Sequence, residues 1–225
     1  MERYNSRSRY RILGVSVSLA NISLQLYLLY MIWPIPIGPV WQLLSLLVAY
    51  PVADFVNGLV HMFMDNNDRY DSPAGPLIAN FHLHHKVPQY KSYNLPAVYF
   101  IESGSKIWLA GYLLAVLLLC RGPGVDPVVL HLLLYTGILS SVAEVSHYLC
   151  HSSTSAVAGL LGNSGLLLSK RHHAKHHLQD NCNYAFLNGV SDPLLNMLAS
   201  ACCKGYKQNT DLHYSNYTDP DMDVR

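Results

Sequence analysis

Apolar positions in this chain fall into long unbroken runs, not into alternating or helical-period stripes, and that pattern sets the first expectation. The run from Ile12 to Trp33 contains no charge. It is too long for the apolar core of a signal peptide, and no small-residue cleavage site closes it, so it is read as a retained membrane anchor. A second run extends from Trp41 to about Met64 after the uncharged connector Pro34 to Pro39, whose prolines and glycine predict a tight hairpin. The third begins near Pro96, a good first helical residue, and continues to Cys120, with Glu102 and Lys106 four apart and placed to pair on one helical face. A loop rich in glycine and proline, Arg121 to Pro127, leads to the fourth run, Val128 to about Cys150.

Beyond these runs the pattern weakens. Residues 152–165 are small and polar, consistent with a loop or a weak interfacial helix, and residues 166–178 read as a helix dense in histidine. Residues 184–199 are apolar but too short to span, and Gly189 and Pro193 interrupt them, so they are expected in the interface or packed beneath a site. The predicted fold class is all-α, an integral membrane bundle of about four transmembrane helices with cytosolic helical extensions that bear the histidines. Its expected organisation is a cytosolic N-terminal segment (1–11), a membrane domain (12–204) and a polar tail (205–225) read as poorly ordered.

Composition agrees: 51% of residues are hydrophobic and 13% charged, well away from soluble averages. The net charge of +1 supplies no basic field for nucleic acid, so no nucleic-acid partner is expected. Four spans place the N-terminus, the segment between the second and third spans, and the C-terminal third on one side. Arg3, Arg7, Arg9, Arg11, Arg69, Lys86, Lys91, Lys170, Arg171, Lys175, Lys204 and Lys207 lie on that side, against Arg121 in the opposite loops. The bias makes that side cytosolic. The five cysteines are odd in number and lack CxxC spacing, which points away from a disulfide framework or a thiolate zinc site.

Twelve histidines are the anomaly. His147 and His151 are four apart, as are His172/His176 and His173/His177, and residues so spaced share a helical face. His84 and His85 are adjacent and diverge by about 100 degrees, so they suit two metals, or one metal and a supporting role. His61 precedes Asp65 by four at the end of the second run. Imidazole alone does not choose among zinc, copper, iron and nickel. Number discriminates better: a single zinc takes about four ligands, and His61, His84, His85, His147, His151, His172, His173, His176 and His177 exceed that, which favours a pair of metals. Asp65 is read as a ligand or as an acceptor orienting His61, and Glu144, one turn before His147, as an orienting group or a ligand. His82 is read as a neighbour of the site, and His131 and His213 as structural or solvated. Nearly all of these groups lie at one membrane face, where a lipid chain reaches them and where ionisable residues are costly unless functional. A non-haem iron pair with O2 removes hydrogen from unactivated methylenes, chemistry beyond any side chain. The inference is oxidation of a lipid alkyl chain. Hydroxylation is a rival outcome, and a divalent-metal transporter is a rival class disfavoured by the one-sided distribution of ligands.

The ordered words ADFVNGLVHMFMD (Ala53 to Asp65), FHLHHKVP (Phe81 to Pro88), FIES (Phe100 to Ser103), SHYLCH (Ser146 to His151) and SKRHHAKHH followed by NYAFLNGVSDPLL resemble the Kua-type lipid desaturases, the plasmanylethanolamine desaturase family, over roughly residues 45–200. The resemblance implies a di-iron, oxygen-dependent enzyme that places a double bond next to the ether oxygen of an alkyl glycerophospholipid, giving the vinyl ether of a plasmalogen. Relatives act on other lipid chains, so a fatty-acyl desaturase is the alternative. The resemblance also implies an external electron donor, a small haem carrier of the cytochrome b type, and residence in the endoplasmic reticulum with the site facing the cytosol. No flavin, haem or iron–sulfur motif is present to replace that donor. The chain departs from the family pattern at QYKSYN with Asn94, at Glu144, where a neutral amide is usual in the animal enzymes, and at Val190, where tryptophan is common.

Overall fold

The computed structural model describes residues 8–72, 74–86 and 93–205, so the tail and His213 lie outside the described residues. Helix α1 (Ser8–Ile32) and helix α2 (Gly38–Asp65) form the first hairpin. Gly38 adopts a positive φ of 76° at the corner, a conformation open to glycine at little cost, and a proline follows in the first turn of α2. Helix α2 runs through Pro51 without ending, as helices in a bilayer tolerate. Helix α3 (Gly75–Lys86) is short and carries His84 and His85.

The third apolar run is not one helix. Helix α4 (Leu95–Glu102) gives way to a 3-10 turn (Ser103–Ser105), and helix α5 (Ile107–Arg121) leaves at 90°. Two neighbours stabilise the break. Asn21 on α1 donates from Nδ2 to the carbonyls of Ser103 (3.0 Å) and Lys106 (3.1 Å), and Ser18 donates to the carbonyl of Phe100 (2.7 Å). Carbonyls that a straight helix would satisfy internally are thereby paired, an obligation in a membrane. Gly104 lets α1 approach: a Cβ there would lie 2.6 Å from the Gly14 carbonyl oxygen. The expected Glu102–Lys106 pairing is replaced, because the bend carries Lys106 inward, where its Nζ is 3.0 Å from Glu144 Oε1 and also bonds Asn57 Oδ1.

Helix α6 (Pro127–Ser152) is the central element, capped by Asp126, whose side chain accepts from the Val128 amide. Its upper half packs with α1 and α5 through Leu28, Ile32, Leu109, Leu113, Leu130 and Leu134. Its lower half packs with α2 and α3 through Ala49, Ala53, Ile78, Phe81, Leu139 and Ala143. Outward residues such as Leu26, Tyr30, Leu43, Leu47 and Leu118 remain exposed, as lipid-facing side chains do. Three helices are long and apolar enough to cross a membrane, and a fourth crossing is made if the bent pair counts as one. The chain is a multi-pass membrane protein, all-helical among the described residues.

Helix α7 (Ala156–Asn163), helix α8 (Lys170–Gln179) and helix α9 (Asp192–Cys202) follow α6. Ser155 caps α7 and Ser169 caps α8. The apolar stretch expected beneath a site is there: Tyr184, Ala185, Phe186 and Leu187 are buried, and Tyr184 and Ala185 pack with Leu195 and Ala199 of α9.

Candidate metal centre

Helices α2 and α6 both end where α3 and α8 cross them, and each delivers histidines to that point. From α2 come His61 and Asp65, one turn apart and fully buried. Sequence order within α3 and α8 is split between two places. His85 and His176 join His61 and Asp65, while His84, His173 and His177 join His151; within each group the ligand atoms lie within 4.8 Å of one another. His147 stands with the second group, its Nε2 2.9 Å from His173 Nε2 and 3.2 Å from His151 Nε2. The groups adjoin: the His85 and His177 rings are 4.9 Å apart and those of His61 and His173 6.4 Å. Adjacent histidines therefore serve different groups, as their helical divergence requires.

His172 goes elsewhere. Although it precedes His176 by one turn, its Nε2 lies 2.5 Å from Asp192 Oδ2, outside both groups. Gly189 makes room for it, since a Cβ there would sit 2.6 Å from His172 Nε2. His82 is bracketed by the Tyr70 hydroxyl (2.5 Å) and the Met64 carbonyl (3.1 Å). His131, near the far end of α6, donates to the Pro127 carbonyl.

The proton positions argue for cations between these side chains. His61 Nδ1 must donate to the Tyr184 carbonyl (2.8 Å) and His176 Nδ1 to the Cys182 carbonyl (2.7 Å), because a carbonyl only accepts. A ring that carries only that proton presents Nε2 as a bare lone pair. Those two lone pairs face Asp65 Oδ2 at 3.1 and 3.3 Å, so acceptors converge on acceptors. Neither His61 Nε2 nor Asp65 Oδ2 has a hydrogen-bond partner among the described residues. Such an arrangement is unfavourable without a positive charge between the groups and suits a metal ion. Backbone carbonyls that hold the distal ring nitrogen are the usual support for a histidine ligand. Burial, reinforced by neighbouring imidazoles, depresses the pKa of His84, His173, His176 and His177 and pushes His85 down to about 4 in spite of Asp65. The rings are thus held neutral, the form that binds metal.

Surrounding residues fix this geometry. Phe186 stacks on His147 (centroids 4.2 Å apart, 13° between planes) and packs against His61 at 4.4 Å. Glu144 Oε2 is 3.9 Å from His147 Nδ1, on the far side of its contact with Lys106. A cavity of about 20 Å³, room for roughly one water, lies among Phe81, His84, Glu102, Glu144, His147 and Phe186.

Two acids that sequence reasoning did not place in the site hold the loop that carries Phe186. Asp54, fully buried in α2, accepts the amides of Leu187 (2.9 Å), Asn188 (3.0 Å) and Ser191 (3.0 Å) and the Ser191 hydroxyl (2.7 Å). Asp192 accepts the Ala185 amide through Oδ1. A charge deep in an apolar run was the available signal for Asp54; nothing local marked Asp192. Gly58 faces the same loop, and a Cβ there would strike the Leu195 side chain of α9 and touch the Ala185 backbone.

No solved structure matches the chain. It is 27% identical over 176 residues to a protein of Myxococcus xanthus named plasmanylethanolamine desaturase, an alignment covering 74% of this chain and 60% of that protein. The chain thus spans about three fifths of that relative's length. The model of the lipid desaturase domain matches residues 50–200, a range that contains every clustered histidine and both loop-holding aspartates, and the chain belongs to the lipid desaturase domain family.

Proposed function

We propose that this protein is an oxygen-dependent desaturase of membrane glycerophospholipid, with iron held by His61, Asp65, His85 and His176 in one site and by His84, His147, His151, His173 and His177 in the other. The observation that carries this reading is the pair of adjoining histidine clusters, one of them with Asp65, at the ends of two membrane helices. Iron bound there would supply oxygen activation and removal of hydrogen from an unactivated methylene. The chain's own residues do the rest. The Tyr184 and Cys182 carbonyls hold two rings in the tautomer that presents Nε2 inward. Phe186 and Phe81 screen the cluster from bulk water, and Asp54 fixes the loop that bears Phe186. Lys106 offsets the charge of Glu144 beside His147.

Removing two hydrogens from adjacent carbons while reducing O2 to two waters requires two electrons and two protons from outside the substrate. A small cytochrome b-type haem protein is the proposed electron carrier. The small cavity between Glu102, Glu144 and His84 offers a place for the water that passes protons. The basic bias of the loops supports a site facing the cytosol, and the endoplasmic reticulum is the proposed membrane. Residues 12–204 are the proposed catalytic membrane domain, flanked by 1–11 and 205–225.

Within this chemistry, the similarity to a plasmanylethanolamine desaturase supports the alkyl-ether phospholipid as substrate and the vinyl ether as product. The test is lipid analysis of cells that make alkyl-ether phospholipid but no plasmalogen, expressing this chain or its His173→Ala form. Acid-labile vinyl ethers from the unaltered chain alone are the expected result. Newly unsaturated acyl chains without vinyl ethers would move the substrate, and no new double bond with a fully iron-loaded protein would end the desaturase reading.

A further inference from the structure

Two segments that follow α6 carry almost no charge. From Ser152 to Ser169 the sequence has none, and from Asn183 to Cys203 it has Asp192 alone, which is buried. A surface that faces water has about a quarter or more of its residues charged. Here the exposed side chains are instead Val157, Leu160 and Leu166 in the first segment and Val190, Leu194 and Met197 in the second. Leu194 and Met197 are three apart and share one face of α9. Charge returns at Lys170 and Lys204, where the chain leaves each segment.

Contacts with α2 fix the level of both segments. The second runs along α2 as a hairpin. Its descending arm places the Tyr184 carbonyl at His61, the Ala185 backbone at Gly58 and the amides of Leu187 to Ser191 at Asp54. Helix α9 returns, with Leu195 against Gly58 and the carbonyls of Ala199 and Cys203 accepting from Asn181, whose Oδ1 accepts from the Tyr184 hydroxyl beside Asn66. The turn at Gly189 and Val190 is therefore the part farthest from the end of α2. The turn of the first segment is tied to it: Asn188 Nδ2 donates to the Gly165 carbonyl (2.8 Å), and the Tyr50 hydroxyl donates to the Leu166 carbonyl. In α1 the stretch Arg11–Ile32 supplies 22 residues, about 33 Å of helix, which matches a hydrocarbon thickness of about 30 Å. The corner between α1 and α2 thus marks the far boundary. Measured from Gly38, the hydrocarbon covers about 20 residues of α2, to the neighbourhood of Gly58. Asp54 and Tyr50 then lie about 6 and 12 Å inside the near boundary, and any tilt of α2 places them deeper.

We infer that the turns at Leu166 and Val190, with the outer face of α9, are immersed in the acyl chains of the leaflet on the histidine side, as re-entrant elements whose partner is membrane lipid. Helix α9 has 11 residues, about 16 Å, so the hairpin enters and leaves by the same face of the bilayer. Irregular backbone at such depth is tolerated where the protein itself pairs it, and Asp54, Tyr50 and Asn188 do so. The same role accounts for a buried carboxylate in an apolar spanning helix. Phe186 sits on the descending arm against His61 and His147, so the immersed hairpin forms the wall between the histidine cluster and the leaflet. The inference stands on the membrane spans and not on the chemistry of the cluster.

The test uses the full-length protein in phosphatidylcholine vesicles, with Cys120, Cys182, Cys202 and Cys203 replaced by serine and buried Cys150 retained. A spin label is placed at one site at a time through Leu166→Cys, Val190→Cys or Met197→Cys. Leu47→Cys, on the exposed face of α2, is the lipid reference, and Lys204→Cys is the water reference. Power saturation compares collisions with O2, which concentrates among acyl chains, and with a water-soluble nickel chelate. Labels at 166, 190 and 197 are expected to collide more with oxygen than with nickel, as at Leu47, with the order reversed at Lys204. Circular dichroism checks that each labelled variant keeps its helix. Ratios at Leu166 and Val190 equal to that at Lys204 would overturn the assignment. Weak collision with both reagents, together with a chemically cross-linked dimer, would overturn it in favour of a second copy of the chain on this surface. If the labelled variants fail to fold, the unaltered protein is irradiated in vesicles of phosphatidylcholine bearing a diazirine on its acyl chain. Adducts are then expected within residues 157–166 and 190–197, and adducts confined to α1, α2, α5 and α6 would sink the idea. Neither readout depends on turnover, so failure to form a double bond would count against the proposed function and leave the immersed hairpin standing.

Discussion

At the scale of single residues, the site separates histidines that the sequence presents as equals. His172 and His176 are one turn apart, yet His176 points its bare Nε2 toward Asp65 and His172 is bonded to Asp192. Replacing His176 by alanine is expected to lower iron content to about half or less and activity by at least 100-fold, on the order of the loss for a missing metal ligand. Replacing His172 is expected to leave iron nearly unchanged. Iron measured by plasma mass spectrometry on the purified variants checks both, and equal iron loss in the two would contradict the geometry. Asp54 provides a separate prediction. Asp54→Ala removes the acceptor of four amides and a hydroxyl, a loss of about 3 kcal/mol or more. The Phe186 loop should loosen, seen as faster amide exchange in residues 186–191 than in the unaltered protein.

At the scale of elements, the bend between α4 and α5 is the feature that hydropathy hid. The apolar run from Pro96 to Cys120 reads as an ordinary span, but it breaks at Ser103–Ser105, where Asn21 takes over the carbonyls of Ser103 and Lys106. The bend brings Lys106 to Glu144 beside His147. Removing one member of a buried ion pair costs about 3 to 5 kcal/mol, whereas removing both is far milder. Lys106→Met is therefore expected to destabilise strongly, and Lys106→Met combined with Glu144→Gln to recover most of that loss. A double-mutant cycle of thermal or denaturant unfolding in detergent measures the coupling, and additive effects would mean that the pair is not what holds the bend.

At the scale of the whole molecule, the histidine cluster fastens elements that otherwise touch sparingly. Helices α2 and α6 share an apolar core with α3, but α8, with four of its ten residues histidine, has little apolar surface with which to dock. Metal binding to the folded state adds stability by mass action. Stripping iron with a chelator should lower the melting temperature and speed amide exchange in α3 and α8, leaving α1 and α5 protected by their leucine packing. Uniform destabilisation along the chain would show that the cluster is not the fastening. Readdition of ferrous iron should restore both properties.

The long apolar runs made the helical class and the number of crossings legible, because a bilayer demands length and apolarity from each spanning segment whatever it packs against. Histidine spacing likewise marked His61, His84, His85, His147, His151, His172, His173, His176 and His177 as candidate ligands, since one-turn spacing is a local property of a helix, and the fold gathers all of them but His172 into two adjoining clusters. Which histidine joins which group depended on α3 and α8 crossing the ends of α2 and α6, contacts between segments more than 110 positions apart. The turn at Lys106 depended on Asn21, more than 80 positions earlier. The loop-holding role of Asp54 depended on amides more than 130 positions later. A cavity of about 740 Å³ beside α8 needed three separate elements to enclose it. Each of these is an interaction between surfaces that periodicity cannot pair, and only the folded arrangement of the helices brought them together.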